Sequence, residues 1–547
     1  MQRTLLSTLV ALSLLQATAQ TPTLVRDFHP GSIGAYVMHG YPNGFREHNG
    51  KLLIFANEDM ASVKLFALDG IDGPVQELAA VGNVAGYTTT NGGIITSGDN
   101  IYFFAQQSAS TNFLLWCVRP GQAAEQLAVL PYSILFGYTG IPLSGGRLLF
   151  PGHDADHGFE LWITDGTSAG THRLKDINPG TPTSFGSPFP VMQGFDFQGN
   201  AYFLANDGTN GPQLWTSDGT EAGTQQFATI NSTGATGAIT LLWGKNADRF
   251  VVSSNSGLLG SDGTTGGTSL IHAGEYTLAH IPGLNYHTAD NGYLYFSALE
   301  SGDWKLYRTQ GTSASTQLVM EDVVPNQGFP YLTELGGMLY ALTNDGDQNT
   351  VLVRMDPIAQ EHTIVKTFTS TQGPNGTANF YGFRNDGQHF YFMGRDGDHA
   401  KQYWKSDGTE AGTAMVHEFL PSIVNGGPDA ANGNMIVYDG HFVFSANDAS
   451  VGVELWATEA AVGLAEVQRP GAEARVWGDG SRNLVVQALE GEVIAVKVMD
   501  ATGKTVLERG GLRAAHIIVP AQGLGSGVYI VQVTTTKGVG VNRVVLD

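Results

Sequence analysis

His153-Asp154-Ala155-Asp156-His157 is the densest local set of metal-type ligands in the sequence. Alternating carboxylates and imidazoles suit a divalent cation. Asn344-Asp345-Gly346-Asp347 and Arg395-Asp396-Gly397-Asp398 read as fragments of calcium loops. Neither carries the downstream bidentate Glu of an EF-hand. The candidate cation ligands are therefore Asp154, Asp156, Asp345, Asp347, Asp396 and Asp398, with calcium the cofactor they would take. A plainer reading competes at each place. Other parts of the chain put Asn206-Asp207-Gly208 or Asn447-Asp448 where His153–His157 stands, so these stretches also read as polar hairpin turns.

Motifs for known chemistry are missing. There is no His-Glu-x-x-His helix, no Gly-x-Ser-x-Gly elbow and no Walker-type phosphate loop. No catalytic residue is assigned. Cys117 is the single cysteine, so neither an internal disulfide nor a thiolate metal cage is available. It follows Trp116 in a predicted strand and reads as a buried thiol. The 28 basic and 50 acidic residues give a net charge of -22. That balance disfavours nucleic acid and anionic lipid surfaces, both of which want a basic patch.

The elements that would position any site are short strands. The 72 glycines punctuate β-branched and aromatic runs, and helical periodicity is nearly absent after residue 20. The dominant feature is a repeat. Its clearest copies are Glu160-Leu161-Trp162-Ile163-Thr164-Asp165-Gly166-Thr167-Ser168-Ala169-Gly170-Thr171, the matching run Gln213 to Thr224, and Gln402 to Thr413. With the Trp position as marker, the copies fall at Phe66, Trp116, Trp162, Trp215, Leu259, Tyr307, Val353, Trp404 and Trp456, in steps of about 44 to 53 residues. Several strands per unit at this period mean propeller blades. Since Leu259, Tyr307 and Val353 replace Trp, the marker reads as blade core rather than a sugar-stacking platform. Asp165, Asp218, Asp262 and Asp407 read as turn residues before Gly, although they would also form an acidic ring on one face.

The array ends imply closure. The last unit stops after Trp456, and Val25-Arg26-Asp27-Phe28-His29-Pro30-Gly31 parallels Leu174-Lys175-Asp176-Ile177-Asn178-Pro179-Gly180. The expected fold is all-β: a β-propeller of about nine (alternatively eight) four-stranded blades closed by the N-terminal strand, plus a small C-terminal β-sandwich. The expected domains are a signal peptide over 1–19, the propeller over 20–460, and a C-terminal β-domain over 461–547. Arg3, the apolar run Leu5 to Leu15 and the small-residue site Ala17-Thr18-Ala19 make the signal peptide. Later segments are too short and polar to span a bilayer, so no transmembrane segment is expected.

The Glu-Leu-Trp-x-x-Asp-Gly-Thr-x-x-Gly-Thr units resemble the repeats of large exported proteins of Bacteroidetes type, over most of residues 22 to 460. That resemblance implies export and a propeller-like array, and no defined activity. The last 80 or so residues look like the sorting domain of the type IX secretion pathway. The resemblance is carried by Asp500-Ala501-Thr502-Gly503-Lys504, Gly527-Val528-Tyr529-Ile530-Val531 and the terminal strand Asn542 to Leu546. The Tyr-Pro-Asn-Pro opening of that family is replaced by Val476-Trp477-Gly478-Asp479-Gly480. The resemblance implies the type IX secretion machinery as a partner, passage through the outer membrane, and a secreted or cell-surface location. Function then reads as binding or interaction with an extracellular ligand, a glycan or a protein. The alternative is a hydrolase or lyase acting on an extracellular polysaccharide or other polymer, which rests on fold analogy alone.

Overall fold

A computed structural model describes residues 21–546 except 31, 34–35, 38–39, 59–62, 81–92, 107–111, 131–139, 186–191, 232–240, 242, 274–291, 301–302, 322–331, 345–348, 358–359, 369–380, 395, 397–398, 400, 420–430, 461–473, 479–482, 489–491, 500–504, 511, 515, 522, 525–526 and 536–538. The predicted leader over 1–19 lies outside the described residues. The chain divides into two compact units, Met1–Ala461 and Val462–Asp547.

The larger unit is all-β and propeller-like. Among its described residues, nine antiparallel sheets of three or four strands follow one another, numbered here in chain order, beside a two-stranded ribbon of Ser32–Ile33 and Tyr36–Val37. Sheet one runs Asn43–His48, Lys51–Asn57, Val63–Leu68 and Val75–Ala80. Sheet three runs Ile141–Leu143, Arg147–Asp154, Gly158–Thr164 and His172–Lys175. Sheet four runs Gly194–Phe197, Asn200–Asn206, Pro212–Ser217 and Gln225–Ala228. Sheets two, five, seven and eight repeat this four-strand meander, and sheet six shows three strands. Eight of the nine marker residues lie on third strands, from Phe66 in Val63–Leu68 to Trp456 in Gly452–Glu459, and Tyr307 lies on Asp303–Thr309, the middle one of the three strands described in sheet six.

Strand alternation builds the interior. Along the second strand of sheet one, Leu52, Ile54 and Ala56 pack toward sheet nine, while Leu53 and Phe55 pack toward sheet two. Both faces are covered, so the strand reads as an unbroken apolar run instead of alternating with polar residues. Nine clusters arise this way, each shared by two successive sheets. The last joins sheet nine to sheet one, so the packing closes on itself.

Sheet nine takes its fourth strand from the other end of the unit. Its order is Thr23–Arg26, Gly452–Glu459, His441–Asp448, Ala431–Tyr438. Leu24 pairs with Trp456 and Arg26 with Leu455, with a bulge between them. The same bulge falls beside the marker in sheet three, between Leu161 and Trp162, and in sheet four, between Leu214 and Trp215. The N-terminal strand therefore has the register of an ordinary fourth strand. Phe28 follows it into the closing cluster, 5.1 Å from the Phe66 ring.

In sheet four, the sequence pattern suggests a first strand over Val191–Phe197 and a fourth over Thr224–Ile230. The described strands are shorter, Gly194–Phe197 and Gln225–Ala228, and residue 191 lies outside the described residues. The chain leaves the fourth strand early because the Ile230 N–H turns to a side chain instead of the ladder.

The C-terminal unit has a three-stranded sheet (Ala474–Gly478, Asn483–Ala488, His516–Pro520) and a four-stranded one (Thr505–Arg509, Val493–Met499, Gly527–Thr535, Val539–Leu546). Leu484, Val486 and Val519 from the first and Val496, Val498, Val531 and Val533 from the second form one core. Among the described residues, no helix is long and apolar enough to cross a membrane.

Candidate functional site

In an antiparallel meander the first-to-second and third-to-fourth turns fall at one end of each sheet. The second-to-third turns and the connections to the next sheet fall at the other end. The two ends have different chemistry.

At the first end, the repeat wires its own turn. In sheet four the Ser217 and Thr224 hydroxyls meet at 2.7 Å, tying the third strand to the fourth. Asp218 Oδ1 accepts from the Thr220 N–H (2.8 Å) and hydroxyl (2.7 Å). Thr220 Oγ1 accepts from the Gly223 N–H, and Thr224 Oγ1 donates to the Thr220 carbonyl. Both glycines are required. Gly219 sits at φ +85°, which a side chain resists. A Cβ on Gly223 would lie 2.1 Å from Asp218 Oδ1. The same lattice recurs at Asp165, Asp262 and Asp407. The Thr hydroxyl and N–H bonds hold the Asp165, Asp218 and Asp262 carboxyls below their ordinary range.

Sheet six changes two positions together. Gln310 replaces the Asp and Ser315 the second Gly. Ser315 Oγ then accepts from the Gln310 N–H (3.0 Å) and the Thr312 N–H (3.2 Å), standing in for the missing carboxylate. With no Asp side chain in the turn, the Cβ has room.

At the other end, a buried acid or amide organises the chain as it leaves sheets three, four, eight and nine. Glu160, the first residue of the Glu-Leu-Trp run, is fully buried. Its carboxyl accepts from the Ile177 N–H (2.6 Å), the Asn178 N–H (3.3 Å) and the Ser184 hydroxyl (2.6 Å). Gln213 holds the same place in sheet four, where Oε1 accepts from the Ile230 and Asn231 N–H groups. Gln402 accepts from the Phe419 N–H in sheet eight. In sheet nine, Glu454 accepts from Phe28 (2.8 Å) and Gly40 (2.5 Å). The outgoing segment then hands a carbonyl to the next sheet, from Ser184 to the Asn206 N–H and from Gly40 to the Asn57 N–H. Burial pushes the Glu160 and Glu454 carboxyls up to about 7, against the lowering effect of the N–H and hydroxyl donors.

Sheets one and six invert the polarity. Lys64 occupies the position of Glu160 and pairs with Glu58 at 2.8 Å and Glu77 at 2.9 Å. Lys305 does so in sheet six, 3.4 Å from Glu300 and 3.8 Å from Glu321. Glu300 also accepts from the Tyr307 hydroxyl (2.8 Å) and lies 3.1 Å from His272 Nε2. Burial works against the Glu300 charge, yet these donors hold its carboxyl low, while burial lowers His272. This mixed His-Glu-Tyr-Lys group does not recur around the array.

The predicted cation ligands take turn roles where they are described. Asp154 Oδ1 accepts from the Asp156 N–H (3.1 Å), the His157 N–H (2.9 Å) and His157 Nδ1 (2.7 Å). Arg173 lies 3.7 Å from its other oxygen. Asp396 binds His399 in the same way, at 2.8 Å to N and 2.7 Å to Nδ1. Asp156 lends its N–H to that turn. Asp345, Asp347 and Asp398 lie outside the described residues. Among the described residues, no group of three or more His, Cys, Asp or Glu is placed to hold a metal ion. Cys117 is buried, and burial pushes its thiol up to about 12.

Sequence reasoning passed over Glu160 and Glu454. The available signal was an acid or amide two residues before the marker Trp in four copies.

These features define an all-β, propeller-like protein with a repeated turn end and a more variable opposite end. No family model matches the chain, and no curated protein matches it. Among solved structures it is similar to puromycin hydrolase, at 15% identity over 64% of this chain and 57% of that one, with a TM-score of 0.34. It is similar to a prolyl endopeptidase at 10% identity, over 82% of this chain and 54% of that one, with a TM-score of 0.39. It is also similar to the β-propeller domain of the trilobed protease from Pyrococcus furiosus, at 11% identity over 70% of this chain and 98% of that one, with a TM-score of 0.35. The chain thus spans little more than half the length of the first two. The propeller-like assignment rests on the sheet order and closing cluster rather than on these likenesses.

Proposed function

We propose that this chain is an exported binding protein: a nine-bladed propeller, closed by Thr23–Arg26, that presents one end to a glycan or protein ligand outside the cell. The observation that carries this reading is the division of labour between the ends. One end repeats the same Asp-Gly-Thr lattice, whose polar groups are consumed by the turns themselves. The connections between sheets run over 81–94, 131–140, 176–193, 229–242, 274–293, 321–331, 369–380 and 416–430 and join the strand ends opposite those turns; beyond the start of 176–193, which parallels 27–31, their sequences differ. Recognition belongs on connections that vary over a rigid scaffold. A panel of glycans and surface polymers presented to the full chain, with and without calcium, tests this. Saturable binding without turnover is the expected result. Turnover of any polymer in the same panel would reverse the ranking.

The second reading, a polymer-degrading hydrolase or lyase, is favoured by the His272–Glu300–Tyr307 group, which joins sheets five and six, is not repeated among the described residues and mixes acid and base. If turnover is found, Glu300→Gln should abolish it.

Export is part of the proposal. The leader over 1–19 directs the chain out of the cytoplasm, and the C-terminal unit, read as a small sandwich, is the address used by the type IX secretion machinery. In a bacterium with that machinery, the full chain should reach the surface or medium. A chain ending at 460 should stay in the periplasm.

A further inference from the structure

Among the described residues, sheet nine alone draws its third and fourth strands from opposite ends of the larger unit, and it packs against sheet one. Glu454 sits at this seam with no solvent exposure. It is bound to two main-chain N–H groups of the N-terminal segment, Phe28 on the way in and Gly40 on the way out. Tyr41 N–H then donates to the Val453 carbonyl and Asn57 N–H to the Gly40 carbonyl, so one carboxyl organises the whole docking contact. We propose that the Glu454 carboxyl is a proton-operated latch: it holds the N-terminal segment in the ring in acid and loosens it as pH rises.

The charged form is costly in this place. A desolvated carboxylate needs full pairing, and here its partners are neutral N–H groups. No Lys or Arg ion pair reaches it. The groups that act on it are Asp27, whose charge opposes ionisation, and the N–H groups of Phe28, Gly40 and His29, which favour it. On its own sheet the residue paired opposite it is Ala446, which carries no charge. On sheet one, the neighbouring contact is the uncharged Asn57 main chain. Burial dominates and pushes this carboxyl up to about 7.

The direction follows from linkage. A carboxyl that holds its proton more tightly when docked than when free favours docking in acid, and that advantage disappears as pH climbs from the ordinary carboxylate range through about 7. Releasing the segment hydrates the carboxylate and separates it from Asp27. A neutral group can hold such a segment, as Gln213 and Gln402 do at the same position. Ionisation, not lack of hydrogen bonds, is therefore what loosens the seam.

Hydrogen exchange of the full chain, corrected for intrinsic rates, reads the latch directly at the amides of Thr23–Phe28. The amides of Gln225–Asn231 in sheet four, a segment held by the neutral Gln213, are the internal reference. Protection of Thr23–Phe28 should fall at least about tenfold between pH 5.5 and pH 8, since each unit of pKa difference is a factor of ten. Glu454→Gln should flatten that dependence, and Glu160→Gln should leave it in place. Should Glu454→Gln fail to fold, Asp27→Asn serves instead, and it should move the loss of protection to lower pH. Protection that does not change with pH, a Glu454→Gln chain that keeps the full dependence, or an Asp27→Asn chain with an unmoved transition would each overturn the proposal.

Discussion

Sheets three and nine solve one problem with the same parts and different connectivity. In each, a buried Glu before the Leu-Trp pair accepts from the N–H of an apolar residue, Ile177 or Phe28, that has just left the fourth strand. Each fourth strand carries the same bulge. In sheet three the acid and its donor are 17 residues apart, and an Asp165 turn joins the strands. In sheet nine they are 426 apart, with no such turn. The longer closure costs about 3 kcal/mol more chain entropy on logarithmic scaling. Side-chain burial and ladder bonds must offset it. The comparison teaches that strand pairing and the buried acid specify a blade, and that the covalent turn is an addition.

The largest test removes residues 21–28. Sheet nine would lose its fourth strand and the Phe28 ring, leaving Gly452–Glu459 as an open edge. A loss of at least about 5 kcal/mol is expected, together with aggregation, followed by urea unfolding and light scattering. A protease site inserted between Ser168 and Ala169 should cost far less after cleavage, because the fourth strand of sheet three stays docked. If both cuts are equally damaging, the turn matters as much as the pairing.

Next in size is the apolar anchor. Phe28→Ala should cost about 3–5 kcal/mol and Ile177→Ala about 2–5 kcal/mol, measured by the same unfolding assay. Similar losses would make the two seams equivalent in energy as well as geometry.

The turn of sheet three gives an intermediate effect. Gly170→Ser drives a Cβ to 2.1 Å from Asp165 Oδ1 and should cost about 2 kcal/mol. The double change Asp165→Gln with Gly170→Ser reproduces the sheet-six arrangement and should recover most of it, giving a coupling above about 1 kcal/mol in a double-mutant cycle. Gly266→Ala, where nothing lies within 4 Å of the new Cβ, should be close to neutral.

The smallest effect is in pH dependence. Glu160 is raised to about 7, so its contribution favours the fold in acid and is lost as pH rises through that value. Glu160→Gln should reduce the fall in stability between pH 5 and pH 8 by about 1 kcal/mol.

Much of this was readable before any coordinates. The Trp-position residues mark third strands even where Leu259 or Val353 stands in, because a covered strand needs bulk there more than it needs an indole. Val25 and Leu174 are matched in sequence because each sits in the same bulge, with Phe28 and Ile177 three residues on in an apolar core. The Asp-Gly-Thr turns were legible because their bonds are local. Glu160 and Glu454 were not, since a carboxyl seen in sequence does not show which distant N–H it will meet. At Asp154 and Asp396 the sequence leaves a cation ligand and a turn acceptor both open, because a cation and a turn N–H ask the same thing of an Asp oxygen.

The register of the N-terminal strand also bears on how the gene could be rearranged. Thr23 faces Ala457 as Gln225 faces Thr216, so Thr458 stands where Ser217 does and Pro22 where Thr224 does. An Asp-Gly-Thr-Glu-Ala-Gly-Thr bridge would therefore span the gap, and the termini could be moved to another connection as a circular permutant. The sheet order and the closing cluster then single out no sheet as the first.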